Sequence, residues 1–124
     1  MKLLIVDNSM PVRKRLSDMF ESVPAIEVIQ AAELAEGFAQ LRQFTPHAMI
    51  LDLKFPDGNG FDLLGYTKQN FPSVIVMVNT NAIYFRKQCL ALGADFFFDK
   101  SLETNDLVDT IISYRDRLLS SGQP

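Results

Sequence analysis

Tryptophan is absent from this 124-residue chain, and cysteine and histidine occur once each, as Cys89 and His47. A single cysteine cannot close an internal disulfide, so no stapled scaffold is expected, and a lone histidine without cysteine neighbours builds no metal finger. Cys89 falls in an apolar helical pattern, where a small core residue is the expected role and a reducing compartment fits. His47, at a strand entrance, is assigned no chemistry. Long apolar runs are also missing. After Lys2 the run Leu3 to Val6 stops at Asp7, too short for a signal-peptide core, and nothing later approaches membrane-spanning length. A cytoplasmic protein without a membrane partner is expected. Neither sign of charge dominates: 12 basic and 15 acidic residues leave a net charge of −3. Because they are interspersed, no phosphate-backbone partner is indicated and direct nucleic-acid binding is not expected.

What the chain has is apolar content, 48% of its residues, enough for one domain to bury a core. Short apolar runs at Leu3–Val6, Ile26–Ile29, Ala48–Leu51, Val74–Val78 and Phe96–Phe98 read as strands. Between them apolar residues recur at helical spacing: Val12, Leu16, Met19 and Phe20; Leu34, Phe38 and Leu41; Phe61 and Leu64; Ala82, Phe85, Cys89 and Leu92; Leu107, Val108, Ile111, Ile112 and Leu118. Ser9 is placed as an N-cap with Pro11 in the first turn, and Gly93 stops the fourth helix. The domain is taken as 1–119, with a frayed tail over 120–124. Alternating strands and helices imply right-handed βαβ units in an α/β, doubly wound domain with one five-stranded parallel sheet and five helices. The flavodoxin-like order is 2-1-3-4-5.

In that order the carboxyl ends of strands one and three are neighbours at the switch point where such sheets bind ligands. Asp7 ends the first and Asp52 the third. Lys100, ending strand five, reaches the same crevice across strand four. Hard oxygen donors from Asp7, Asp52 and Asn8 suit Mg²⁺, and a carboxylate can attack a phosphoryl group while metal and lysine neutralise its oxygens. Asp52 is the expected nucleophile. Two plainer readings stand beside this one: a strand-end Asp that caps the next turn, and a structural Asp52–Lys100 ion pair.

The stretches LLIVDNS, MILDLKFPDGNGFDLL and ALGADFFFDKS, with the spacing between them, resemble the receiver domains of bacterial two-component response regulators (CheY-like). The resemblance spans residues 2 to about 119. It implies phosphoacceptor Asp52, phosphoryl-binding Lys100, and Asp7 and the Lys54 backbone carbonyl as Mg²⁺ ligands, with Phe97 as the aromatic switch on strand five. Three positions depart from the pattern. Asn8 replaces an acid and predicts weak Mg²⁺ binding. Counting back from Gly93 and Lys100 puts Val78 where a hydroxyl is usual, with Thr80 able to substitute only if the loop is rearranged and Asn79 only by turning inward. Ser101 replaces a proline, and a trans Lys100–Ser101 bond is expected because a non-proline cis bond is costly.

The resemblance implies a single-domain response regulator in phosphorelay signal transduction, not an enzyme beyond self-catalysed phosphorylation and dephosphorylation. It would take a phosphoryl group from a histidine kinase or phosphotransfer protein and signal to an unidentified output protein. As a monomer or weak dimer, it would use the face of helix four, strand five and helix five, with Tyr84, Arg86, Lys87 and Phe97. Because of Asn8 and Val78, phosphorylation is expected to be slow and poorly coupled to a switch. The alternative is a pseudo-receiver, a binding module working without phosphorylation. A haloacid-dehalogenase-type hydrolase is disfavoured, since Lys54 stands where that class places a second Asp.

Overall fold

A computed structural model describes residues 1–121. Five strands form one parallel sheet: β1 (Lys2–Val6), β2 (Glu27–Ala31), β3 (Ala48–Leu51), β4 (Ile75–Thr80) and β5 (Phe96–Asp99), in the order β2-β1-β3-β4-β5. The expected order is therefore the observed one. The helices are α1 (Met10–Glu21), α2 (Leu34–Phe44), α3 (Gly60–Asn70), α4 (Arg86–Ala91) and α5 (Thr104–Ser120). The three central strands are buried on both faces, which is why their sequences are continuous apolar runs rather than alternating ones. Leu4, Val6, Met49, Leu51, Val76 and Val78 pack on one side with Leu34, Leu41, Leu63 and Leu64 of α2 and α3. Leu3, Ile5, Ile50 and Met77 pack on the other with Leu16 and Phe20 of α1 and Leu107 and Ile111 of α5.

Local chemistry sets the helix starts. Ser9 Oγ accepts the Val12 N–H at 3.4 Å, with Pro11 in the first turn of α1, and Asn59 Oδ1 accepts the Phe61 N–H at 2.8 Å at the head of α3. Three boundaries differ from expectation. β4 runs two residues past Val78, through Asn79 and Thr80. The fourth helix is shortened to Arg86–Ala91 behind a 3₁₀ turn at Ile83–Phe85, with Ala82 as that turn's N-cap. A two-residue-by-two-residue hairpin, Lys54–Phe55 against Gly58–Asn59, forms in the segment expected as a plain loop. Ser120 closes α5 and Ser121 caps it; Gly122 to Pro124 of the expected tail lie outside the described residues. All peptide bonds in the described residues are trans, Lys100–Ser101 included. Among those residues no helix is long and apolar enough to cross a membrane.

Candidate functional site

The parallel ladder carries the chemistry to one place. Just past the end of β1, the Asp7 N–H bonds the Ala31 carbonyl at 3.1 Å; just past β3, the Asp52 N–H bonds the Val6 carbonyl at 3.0 Å; just past β5, the Lys100 N–H bonds the Thr80 carbonyl at 3.0 Å. Each residue leaves the sheet with its backbone still pinned to the neighbouring strand. Their side chains meet: Lys100 Nζ lies 2.7 Å from Asp7 Oδ2 and 2.6 Å from Asp52 Oδ2. The second oxygen of each carboxylate takes a backbone N–H, Ser9 on Asp7 Oδ1 at 2.8 Å and Leu53 on Asp52 Oδ1 at 2.7 Å. Arg13 reaches back from α1 to donate to the Asp7 carbonyl at 2.6 Å.

The two carboxylates are not equivalent. Asp7 is 2% exposed, whereas the Asp52 side chain keeps 13% of its surface and opens into a crevice of about 230 Å³ with Lys54, Thr80, Asn81, Ala82 and Tyr84. Burial pushes the Asp7 carboxyl above the ordinary 3.8, and the bonds from Lys100 and Ser9 only partly offset it. Burial also works against charge on Lys100, but hydrogen bonds to Asp52 and Asp7 outweigh it and raise its pKa above 10.5. Asp52 thus lines the open space, whereas Asp7 and Lys100 do not. A larger, shallow groove of about 440 Å³ runs along Pro11, Lys14, Arg15, Asp18 and Met19; it lies on an outer face of α1 and includes neither Asp7 nor Asp52.

The donors fit a hard cation modestly. No cluster of three or more His, Cys, Asp or Glu exists among the described residues, but Mg²⁺ commonly takes one or two carboxylates and completes its shell with water. Lys54 is exposed, at the rim of the crevice. Asn8 is exposed too, and its amide donates to the Ala32 carbonyl at 3.1 Å.

Val78 is not on the crevice, which corrects the count from Gly93 and Lys100. It is 0% exposed and packed in the core, in register with Leu51 on one side and Phe97 on the other. The strand hydroxyl at the crevice is that of Thr80, two residues further along the same strand face. Its Oγ1 accepts the Ala82 N–H at 3.1 Å, which leaves the hydroxyl proton free to donate. Val78→Thr is therefore expected to repair nothing: it buries a hydroxyl among apolar side chains and lowers stability by about 1–3 kcal/mol, measured by urea unfolding. Thr80→Val should fold but shrink the NMR shift changes produced by beryllofluoride; equal responses from both variants would refute the assignment.

Phe97 also differs from expectation. It is 6% exposed and cannot belong to an outer patch. Arg86 sits 5.7 Å from its ring centre and donates to its carbonyl at 3.3 Å, so truncating Phe97 would open the core rather than probe a surface. Tyr84, Arg86 and Lys87 are exposed, together with Ile83 and Phe96. Ser101, in place of proline, donates its hydroxyl to Asn81 Oδ1 at 2.7 Å, tying the loop after β5 to the loop after β4. Sequence reasoning missed Asp57, whose two oxygens accept the Leu34 and Ala35 N–H groups at 3.1 Å. Those backbone bonds lower its pKa and fasten the segment after Asp52 to the start of α2.

Comparison with known proteins places these residues in context. Residues 3–112 match the family model described as response regulator receiver domain. Over 122 residues the chain is 32% identical to protein-glutamate methylesterase/protein-glutamine glutaminase 2 of Saccharophagus degradans, covering 95% of this chain and 34% of that protein. The chain thus spans about a third of the length of that relative. Among solved structures, a CheY-like response regulator receiver domain protein of Methanospirillum hungatei is similar with a TM-score of 0.84 at 24% identity, covering 97% of both chains. The response regulator domain of Thermotoga maritima CheB gives 0.78 at 22% identity, covering 94% of both.

Proposed function

The chain belongs to the response regulator receiver domain family of two-component signalling, and from that premise we propose that it accepts a phosphoryl group on Asp52 in a Mg²⁺-dependent way. The observation that carries the reading is the partly exposed Asp52 carboxylate at the crevice, held against Lys100 and the buried Asp7. The donor is a phosphohistidine on a histidine kinase or phosphotransfer protein. An Asp52 oxygen attacks phosphorus, the P–N bond breaks with its electron pair on the imidazole nitrogen, and Asp52 becomes an acyl phosphate. Lys100 pairs with a phosphoryl oxygen, and the Thr80 hydroxyl donates to another, a bond made only after transfer and so able to bias a conformational equilibrium. Output is by contact with another protein in the cytoplasm, through the face of α4, β5 and α5 as a monomer or weak dimer. Phe97, buried beneath Arg86, serves as a switch from inside that face.

Mg²⁺, held by Asp7, Asp52 and the Lys54 carbonyl with Asn8 beside them, would supply neutralising charge for the transferring group. The pseudo-receiver alternative rested on Asn8 and Val78, and with Thr80 on the crevice its second support is gone. Intact-mass measurement after treatment with acetyl phosphate and Mg²⁺ tests the reading. The expected result is one added phosphoryl group on the native chain and none on Asp52→Asn; an unmodified native chain overturns it.

Asn8 remains a real weakening of the metal site. Asn8→Asp adds a full charge near the pair, at the expense of the Asn8 bond to Ala32 and with added repulsion toward Asp7 and Asp52. At an effective dielectric near 20 the attraction to a divalent cation outweighs both, so Mg²⁺ affinity should rise by roughly tenfold or more. Titration with Mg²⁺ followed by NMR checks this, and an unchanged midpoint would count against it.

A further inference from the structure

Three buried side-chain polar atoms lack a hydrogen-bond partner among the described residues: Ser17 Oγ, Gln40 Oε1 and Asn79 Oδ1. Asn79 is the deepest, at 2% exposure, where an unpaired amide oxygen is costly. It does not face the crevice. Strand alternation sends it to the opposite side from Val78 and Thr80, where it lines a cavity of about 30 Å³ with Val12, Arg15, Leu16, Lys100 and Thr104. Register explains that company: Asn79 pairs with Phe98, and Lys100 follows two residues later, on the same face of the strand.

A water molecule needs about 10–15 Å³ and two to four polar partners, and this cavity meets both conditions. Lys100 Nζ carries three hydrogens, of which Asp7 and Asp52 occupy two. Thr104 Oγ1 gives its own hydrogen to the Lys100 carbonyl at 3.3 Å, so its lone pairs are left to accept. Asn79 Oδ1 only accepts. Lys100 Nζ thus has one hydrogen left to give and Asn79 Oδ1 and Thr104 Oγ1 have lone pairs to accept, a set that one water can bridge, while the Arg15 guanidinium adds further donors to the lining.

We propose that this cavity is a water site and that Asn79 is a positioning residue for Lys100. One water accepts the third ammonium hydrogen and donates to Asn79 Oδ1 and Thr104 Oγ1. Held only by Asp7 and Asp52, the ammonium would follow those carboxylates whenever they turn to an incoming cation or phosphoryl group. An anchor on the sheet keeps Nζ aimed at the crevice through that exchange. The benefit to phosphoryl transfer rests on the function proposed above, but the hydrogen-bond arrangement does not, and it can be read directly.

The test uses the full chain with isotope-labelled lysine, following ammonium hydrogen exchange by NMR, with the Lys100 signal assigned by its disappearance in Lys100→Arg. Losing one charge-assisted hydrogen bond should speed Lys100 exchange by about tenfold in both Asn79→Leu and Thr104→Val. Asn79→Ser keeps an oxygen and leaves room for a second water, so its exchange should stay within about twofold of native. Unchanged exchange in Asn79→Leu or in Thr104→Val overturns the proposal, as does Asn79→Ser exchanging as fast as Asn79→Leu, the result of a merely structural role. If Asn79→Leu does not fold, Thr104→Val and a high-resolution crystal structure decide. Water within hydrogen-bond distance of Lys100 Nζ and Asn79 Oδ1 supports the site, and a dry cavity overturns it.

Discussion

Gly60→Ala is expected to destabilise the protein by about 3 kcal/mol or more, since overpacking alone costs 1–3 kcal/mol and here the obstacle is backbone. A Cβ on Gly60 would run into the carbonyl oxygen of Asp52 and lie 2.9 Å from Leu53 Cα. Neither can yield as a flexible side chain would. The Gly60 N–H also bonds the Leu53 carbonyl at 2.8 Å, so making room means breaking that bond or shifting Asp52. Stability and phosphorylation of Asp52 should fall together. Gly65, inside α3 with nothing within 4 Å of its would-be Cβ, is the control: Gly65→Ala should be neutral or stabilising by up to about 1 kcal/mol. Urea midpoints for the two variants check the contrast, and similar midpoints would show that the approach at Gly60 relaxes at little cost.

The fold was legible because its three central strands are buried on both faces and its helices on one, which gives two different apolar periods. The failures have local causes. β4 continues through Asn79 and Thr80, polar residues kept in the strand by pairing with Phe98 and Asp99, a tertiary effect without a local pattern. The Lys54–Phe55 hairpin is two residues deep, too short for any period to show. The Asp57 clasp joins a loop carboxylate to N–H groups more than twenty residues earlier, a distance at which no spacing rule operates.

At the site, the acids and the lysine were legible because each sits at the end of an apolar run, where the ladder delivers it to the crevice. Thr80 was not, because the count from Gly93 and Lys100 back to β4 crossed the connection that holds the 3₁₀ turn and the short α4, an irregular stretch whose length has no periodic signature. Its hydroxyl matters beyond the position: with a donor at the crevice, poor coupling no longer follows from the sequence. Under the proposed function, the weakening argued from Asn8 would act at the metal rather than at the switch.

Lys100→Met is expected to lower stability by about 3 kcal/mol near neutral pH, the scale for removing one partner from a largely buried ion pair. The side chains of Lys100 and Asp52 are each 13% exposed and that of Asp7 3%, so solvent does little to screen the two carboxylates left facing each other. The loss depends on pH with a definite sign. A carboxyl whose folded pKa lies above its unfolded value binds more protons when native, so it favours folding below 3.8 and that benefit is lost as pH rises through the folded value. Asp7 is already raised this way by burial, against the opposing pull of Lys100; without the lysine the window extends upward. The variant should therefore approach native stability in mild acid and fall behind as the carboxylates ionise. The native advantage ends at the alkaline side, since the raised pKa of Lys100 gives stability that is complete below 10.5 and lost as pH climbs through the folded value. Adding Asp7→Asn to Lys100→Met removes the most deeply buried charge and should recover most of the deficit at neutral pH. Urea unfolding of the native chain, the single variant and the double variant across this range measures all three, and a Lys100→Met deficit that is equal in mild acid and at neutral pH, or that Asp7→Asn does not reduce, would place the stabilising role of Lys100 outside its contacts with Asp7 and Asp52.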